Sequence, residues 1–131
     1  GMTGQVKEEI LTRFGELGCF VDNGCILFNT TLLKFDEFLK EQKDFVYYNT
    51  NNIKEKLKLE KGQLAFTFCQ VPIVYTLAPK GFTIEIYLNK SKNNTINDKK
   101  IDSKLSESIF YRDGTIRQIN IAMGKEYLFN E

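Results

Sequence analysis

Between Gln63 and Leu88 apolar side chains recur at every second position, a period that buries one face of a strand and cannot bury one face of a helix. Leu64, Phe66 and Phe68 share a face. Val71, Ile73, Tyr75 and Leu77 share another, of opposite parity. Beyond a Pro79-Lys80-Gly81 turn, Phe82, Ile84, Ile86 and Leu88 alternate with Thr83, Glu85 and Tyr87. The chain must therefore be built around extended strands. The parity slips by one between Phe68 and Val71, and Pro72 lacks the N–H of a regular ladder. Residues 63–78 thus read as one long bent strand or as two strands meeting at Gln70–Pro72. The half-buried strand over 82–88 is expected to run antiparallel to its predecessor.

The flanks add short elements. Residues 4–17 read as an amphipathic helix with Val6, Ile10, Phe14 and Leu17 on one stripe. Thr3 suits its cap, Glu8 and Glu9 its N-terminal turn, and Gly18 its stop. Asn23-Gly24, set between two apolar segments, signals a hairpin with strands at 19–22 and 25–29, since both central positions of a type I′ turn need positive φ. Phe35, Phe38 and Leu39 have helical spacing and predict a short helix over 34–42. Residues 44–49 read as a strand, and the polar stretch 50–62 carries Ile53, Leu57 and Leu59 as a further edge segment. Residues 89–102 read as a polar, mobile connection. Ile101, Leu105 and Ile109 predict a helix over 103–110, capped by Asp102 or Ser103. After an Asp113-Gly114 turn, 115–123 form a last strand with Ile119, Ile121 and Met123 on one face, and Tyr127, Leu128 and Phe129 tie down the C-terminus.

These elements predict an α+β fold in a single domain spanning 1–131. An N-terminal helix precedes a mainly antiparallel sheet of about five to seven strands, with one or two short helices packed on it. Eleven Phe and six Tyr in 131 residues supply the bulk for one substantial core. Gly1 ahead of Met2 reads as an added residue, with Met2 as the natural start.

No histidine and no tryptophan occur. Imidazole is the usual acid–base group near neutral pH, so Ser–His–Asp, Cys–His and His-ligated zinc chemistry are excluded within this chain. A net charge of +1 gives no global pull toward nucleic acid or an anionic membrane. Lys54, Lys56, Lys58 and Lys61 interleave with Glu55 and Glu60, which reads as a solvated face. Three cysteines, Cys19, Cys25 and Cys69, cannot all pair, and without a signal-type segment they point to free thiols in a reducing, cytoplasmic compartment. Cys19 and Cys25 flank a tight turn, where a bridge is conceivable. No CxxC is present, so neither a zinc nor a thioredoxin-like reading holds. No apolar run reaches the roughly 18 residues of a membrane-spanning helix. The sequons at Asn29, Asn89 and Asn93 are chance matches in an Asn-rich chain.

Asp22, Asp36, Glu37, Asp102 and Asp113 are the carboxylates available for paired acid–base work, but nothing in their spacing holds two of them together. Turn bonding and helix-end placement account for each. Cys69 reads as a buried structural thiol. Arg112 and Arg117 flank the Asp113-Gly114 turn and could form a small anion site, against the simpler reading of two solvent-facing side chains. Among the tyrosines, Tyr87 is the best exposed stacking candidate, because Phe82, Ile84 and Ile86 assign the other face of its strand to the core. There is no GxGxxG, P-loop or EF-hand spacing.

One set of segments resembles a known family. Phe28-Asn29-Thr30-Thr31-Leu32-Leu33, Asp36-Glu37-Phe38-Leu39, the run LAFTFCQVPIVYTL at 64–77, and Leu105-Ser106 through Ile109-Phe110 with Arg112-Asp113-Gly114 resemble the C-terminal β-rich segment of large bacterial cellobiose phosphorylase-type proteins. That family's chemistry resides in an (α/α)-barrel for which this chain has no room, and no catalytic residue carries over. The resemblance implies an accessory, non-catalytic domain of carbohydrate metabolism.

Two functions are thus expected from different classes. The first is a non-catalytic, cytoplasmic interaction domain with no cofactor, a protein partner or a second copy of itself, and a contact surface carrying Tyr87, Tyr75 and Tyr47. The second is a binder of a small, sugar-like molecule, held between sheet and helix by convergent polar groups such as Gln70, Arg117 and Gln118. A third, a His-free enzyme, requires two carboxylates converging in a cleft.

Overall fold

A computed structural model describes residues 14–89 and 93–129. Among the described residues ten strands run in chain order: β1 Cys19–Asp22, β2 Cys25–Phe28, β3 Lys43–Tyr48, β4 Lys54–Leu59, β5 Gln63–Phe68, β6 Val71–Leu77, β7 Phe82–Leu88, β8 Asn94–Ile96, β9 Lys100–Ile101 and β10 Ile116–Met123. Helix α1, Ser103–Phe110, precedes β10, and short 3-10 turns occupy Phe35–Glu37 and Lys125–Tyr127. The strands form a five-stranded sheet in the order β5-β6-β10-β7-β8, a three-stranded sheet β1-β2-β9, and a separate β3-β4 ribbon. All pairings are antiparallel except β6 with β10. The molecule is a small β-rich domain with few helices.

The core lies between the two larger sheets. Ile73 and Tyr75 of β6, Ile84 and Ile86 of β7, and Ile119, Ile121 and Met123 of β10 meet Ile26 and Phe28 of β2, Ile101 of β9 and Ile109 of α1 in one buried cluster. Each fully buried side chain of this size contributes on the order of 1.5–3 kcal/mol through removal from water. Ser106, also fully buried, fastens α1 to the smaller sheet: its hydroxyl accepts from the Ile26 N–H at 2.9 Å and donates to the Ile101 carbonyl at 3.0 Å. Asp102 caps α1 by accepting from the Leu105 N–H at 2.8 Å.

Residues 14–17 are helical and Gly18 stops them with φ +82°. A Cβ there would lie 2.8 Å from the Asn29 carbonyl carbon and 2.9 Å from Thr30 Cα, so close backbone approach as well as φ requires glycine. The Leu17 carbonyl left over at this helix end accepts from the Tyr75 hydroxyl at 2.7 Å. The rest of the helix expected over 4–17, including Thr3, Val6, Glu8, Glu9 and Ile10, lies outside the described residues.

Several expectations are corrected. Residues 34–42 do not form a helix: only Phe35–Glu37 make a 3-10 turn, and Phe38 returns to extended backbone. Phe38 is buried while Phe35 is 48% exposed, so the two do not share a stripe. Of the two readings of 63–78, two strands hold and one bent strand does not: the parity slip at 69–70 is a two-residue hairpin, and the strands meet at Phe68 and Val71. Cys69 and Gln70 have φ of +51° and +63°, and Phe68 pairs with Val71. Pro72 stands one residue before β6 begins to pair with β10, where its missing N–H leaves both ladders intact. β7 runs opposite to β6, but β10 lies between them. The polar stretch 89–102 contains β8 and β9. Cys19 pairs with Phe28 and Cys25 with Asp22, which by alternation puts the two cysteines on opposite faces, and both are free thiols. Cys69 is half-buried in a turn rather than buried in a strand.

Candidate functional site

The second face of the five-stranded sheet is mixed, with apolar Ala65 and the buried Val74 on β5 and β6 and mostly polar side chains on β7 and β10. Register places Val74 of β6 between Ala65 and Asn120, and Asn120 of β10 beside Glu85 of β7. Gln118 donates to Asn120 Oδ1 at 2.6 Å, and Asn120 donates to the Tyr87 hydroxyl at 3.5 Å. The β3-β4 ribbon adjoins β5 at this side of the molecule. Its inward residues are Phe45, Tyr47, Leu57 and the buried Leu59; Val46, Tyr48, Lys54, Lys56 and Lys58 face water.

At one end of this arrangement four turns meet around a cleft of about 160 Å3, lined by Asn49, Thr50, Asn51, Glu55, Gln70, Asn89, Gly114, Ile116 and Arg117. Local chemistry holds each wall. In the β3-β4 turn, Asn49 Oδ1 accepts from the N–H groups of Asn51 at 2.9 Å and Ile53 at 3.0 Å, and Asn52 takes φ +59°. The β5-β6 turn is tied to it by Gln70, whose side-chain amide donates to the Asn49 carbonyl at 2.7 Å and to Asn52 Oδ1 at 2.9 Å. The loop after α1 is set by Arg112 at φ +52°, Gly114 at φ +81° and Asp113, whose carboxylate accepts from the Thr115 N–H at 2.8 Å. That hydrogen bond lowers the Asp113 pKa below its ordinary value. Asn89 is placed by its own N–H, which donates to the Thr115 carbonyl at 2.9 Å.

Arg117 owes its position to a β-bulge. Ile116 pairs with Leu88 and Gln118 with Tyr87, so Arg117 is an extra residue on β10 with no partner opposite. A bulge re-aims a side chain out of the alternation. Here the guanidinium stands 5.8 Å from the Tyr87 ring centroid. Across the cleft, the Tyr47 hydroxyl donates to Glu55 Oε2 at 2.8 Å. Partial burial, with the Glu55 hydrogen bond and charge next, pushes the Tyr47 pKa up to about 12, while Arg117 pulls the other way.

The residues singled out from the sequence are distributed as follows. Gln70 and Arg117 line the cleft itself. Tyr47 borders it through Glu55, Tyr87 through Arg117, and Gln118 lies next along the same sheet face. Tyr75 is absent from this surface: it is fully buried, with its ring 5.4 Å from Phe66 and 6.3 Å from Phe28. It belongs to the odd-numbered side of β6, which faces the core. The space between sheet and α1, where a ligand was expected, is filled by that core. Asp22, Asp36, Glu37, Asp102 and Asp113 come from a hairpin, a 3-10 turn, a helix cap and a loop, and only the sequence neighbours Asp36 and Glu37 adjoin. Arg112 does not join Arg117 in the cleft wall.

Glu55, Asn49, Asn51 and Asn89 escaped the sequence reading. The Asn-rich turn 49–52 between two strands was one available signal. Another was the three-residue spacing of Ile116 and Ile119, both buried, which betrays the bulge at Arg117. Two other hollows draw on fewer segments: one of about 590 Å3 is lined only by residues 36–43, and one of about 290 Å3 by Glu16, residues 32–34, Glu37 and Phe129. Among the described residues no group of three or more acidic or cysteine side chains could hold a metal, and no helix is long and apolar enough to cross a membrane. Comparison with models of known families found no match, and comparison with curated proteins found no detectable relative.

Proposed function

We propose that this chain is a non-catalytic accessory domain that holds one small polyhydroxy molecule, of single-sugar size, in the cleft between the β3-β4 turn and Arg117. The observation that carries the proposal is convergence: Glu55, Gln70, Asn89 and Arg117, far apart in sequence, line one small cavity. Planar amide, carboxylate and guanidinium groups are the side chains best shaped to bond neighbouring hydroxyls in pairs. Several have capacity to spare. Among the described residues, the side-chain amides of Asn51 and Asn89 and the Arg117 guanidinium have no hydrogen-bond partner, and Glu55 has one. The cavity, about 160 Å3, is below the roughly 300–1,000 Å3 of drug-sized sites, which favours one ring over an oligomer. Tyr87, at the cleft's edge, offers the aromatic surface such a ligand stacks on. The resemblance to the cellobiose phosphorylase-type segment fits a role beside carbohydrate-active machinery. Three free thiols fit a reducing, cytoplasmic setting.

The test is an amide NMR titration of the whole chain with D-glucose, D-galactose and D-mannose at millimolar concentration. Shifts confined to residues 49–55, 69–70, 89 and 114–118 are expected for at least one sugar. Shifts spread elsewhere, or none, would overturn the proposal.

A second reading, a protein-interaction module, rests on the outer side of the β3-β4 ribbon. There Val46, Tyr48 and Ile53 are 49%, 57% and 59% exposed beside Lys54 and Lys58. Sedimentation of the chain alone would reveal self-association through this ribbon.

A further inference from the structure

We infer that the preferred ligand of the cleft is an acidic monosaccharide whose single carboxylate is held by Arg117 while Glu55 and the adjacent amides take its hydroxyls. This rests on the sugar-binding reading above and narrows it to one ligand class.

The cleft contains two opposite charges that do not neutralise each other. Glu55 and Arg117 both line it, yet no ion pair joins them; Glu55 is instead bonded by the Tyr47 hydroxyl at 2.8 Å. Among the described residues no carboxylate lies within ion-pair distance of Arg117. Its neighbour is the Tyr87 ring, 5.8 Å away, which braces a planar cation without using its N–H donors. A bulge that sets an arginine apart from its strand, steadies it against a ring and leaves its fork unpaired is an arrangement for an external planar anion. A guanidinium bonds a carboxylate through two parallel N–H donors.

Charge counting separates carboxylate from phosphate. One cation and one carboxylate line the cleft, so its formal charge is zero. A phosphate monoester carries about −1.5 to −2 at pH 7 and would meet Glu55 with charge left over. A carboxylate is matched by Arg117 alone. Glu55 accepts only, so the ligand atoms beside it must donate, as hydroxyls do.

The deciding experiment is isothermal titration of the whole chain with D-glucuronate, D-galacturonate, their neutral parents D-glucose and D-galactose, and D-glucose 6-phosphate. We expect a uronate to bind at least about tenfold more tightly than its parent, equivalent to about 1.4 kcal/mol. The preference should shrink as salt is raised, because the site is open to water. Arg117→Gln should bring the acid-to-neutral ratio close to one, and Arg117→Lys, which keeps the charge but loses the fork, should retain only part of it. Thermal midpoints of both variants should match the parent chain, since the side chain is exposed. Equal binding of uronate and parent sugar would overturn this inference and leave the sugar-binding proposal standing. Tighter binding of the 6-phosphate would overturn the carboxylate assignment. No binding of any of the five would overturn both.

Discussion

On one face of the five-stranded sheet, β6, β7 and β10 present Ile73, Tyr75, Ile84, Ile86, Ile119, Ile121 and Met123, all sealed from water. On the other face the same three strands carry Thr76, Glu85, Tyr87, Gln118 and Asn120, partly exposed, with Gln118, Asn120 and Tyr87 bonded in series, beside one buried apolar side chain, Val74. Strand alternation alone separates these populations, so neighbours in sequence obey different rules. The first face is covered by a second sheet and α1, leaves no room for a ligand and supplies most of the buried apolar side chains. The second is covered only at one end, by the β3-β4 ribbon, and there it keeps an open polar cleft. The comparison teaches that stability and recognition are separable in this molecule down to adjacent residues.

The sharpest way to break that separation is a paired substitution in β10. Ile119→Ala, at a fully buried position, should cost about 2–5 kcal/mol in urea denaturation. Asn120→Ala, one residue later on the polar face, should cost under about 1 kcal/mol. Similar losses at both sites would mean that the two faces share the load. Next in size is Ser106→Ala. It removes an acceptor from the buried Ile26 N–H and a donor from the Ile101 carbonyl, for an expected loss of about 1–3 kcal/mol. An unchanged urea midpoint would show that α1 is held by apolar packing alone. Asp102→Ala, which deletes the α1 cap, should cost about 1 kcal/mol, with Asp102→Asn recovering most of it.

The smallest effect lies at the cleft and shows chiefly in alkali. The folded-state pKa of Tyr47 is raised from 10.0 to about 12, so the folded chain holds this proton more tightly than the unfolded one. Its contribution is fully present below pH 10 and is lost as pH climbs toward 12. Tyr47→Phe removes the ionisable hydroxyl and its exposed bond to Glu55, so it should lower the urea midpoint slightly at pH 7 and make its decline over that alkaline range shallower. An identical decline in both chains would show that Tyr47 is not held in this partly buried, Glu55-bonded setting in solution.

Legibility from the sequence followed the range of the forces involved. The 19–28 hairpin, the strands over 63–88 and 116–123, and α1 with its Asp102 cap were readable because turn chemistry, alternation and capping act between residues a few positions apart. The helix expected over 34–42 failed because Phe35 and Phe38, right in spacing, are drawn to opposite environments, one to water and one to the core. Strands β8 and β9 were hidden in a polar stretch, since a strand of two or three residues has too few side chains to show a period. In the candidate site, Gln70 and Arg117 could be proposed as polar groups near turns. Glu55 could not, because inside a Lys/Glu alternation it looks like every other solvated charge. Tyr75 was misplaced because alternation says which residues share a side and not which side is covered.

Local sequence pattern was enough for the strand-rich, mainly antiparallel character of the fold, its turns at Asn23-Gly24 and Asp113-Gly114, the alternation along the longer strands, and the exclusion of imidazole chemistry. Only the tertiary structure decided that β10 enters between β6 and β7 and pairs parallel with β6, and that four distant turns close one cleft around Glu55 and Arg117. The reason is physical: local patterns record whether a side chain seeks water or the core, whereas strand order and the meeting of loops depend on how separate surfaces are buried together. That depends on the whole chain at once.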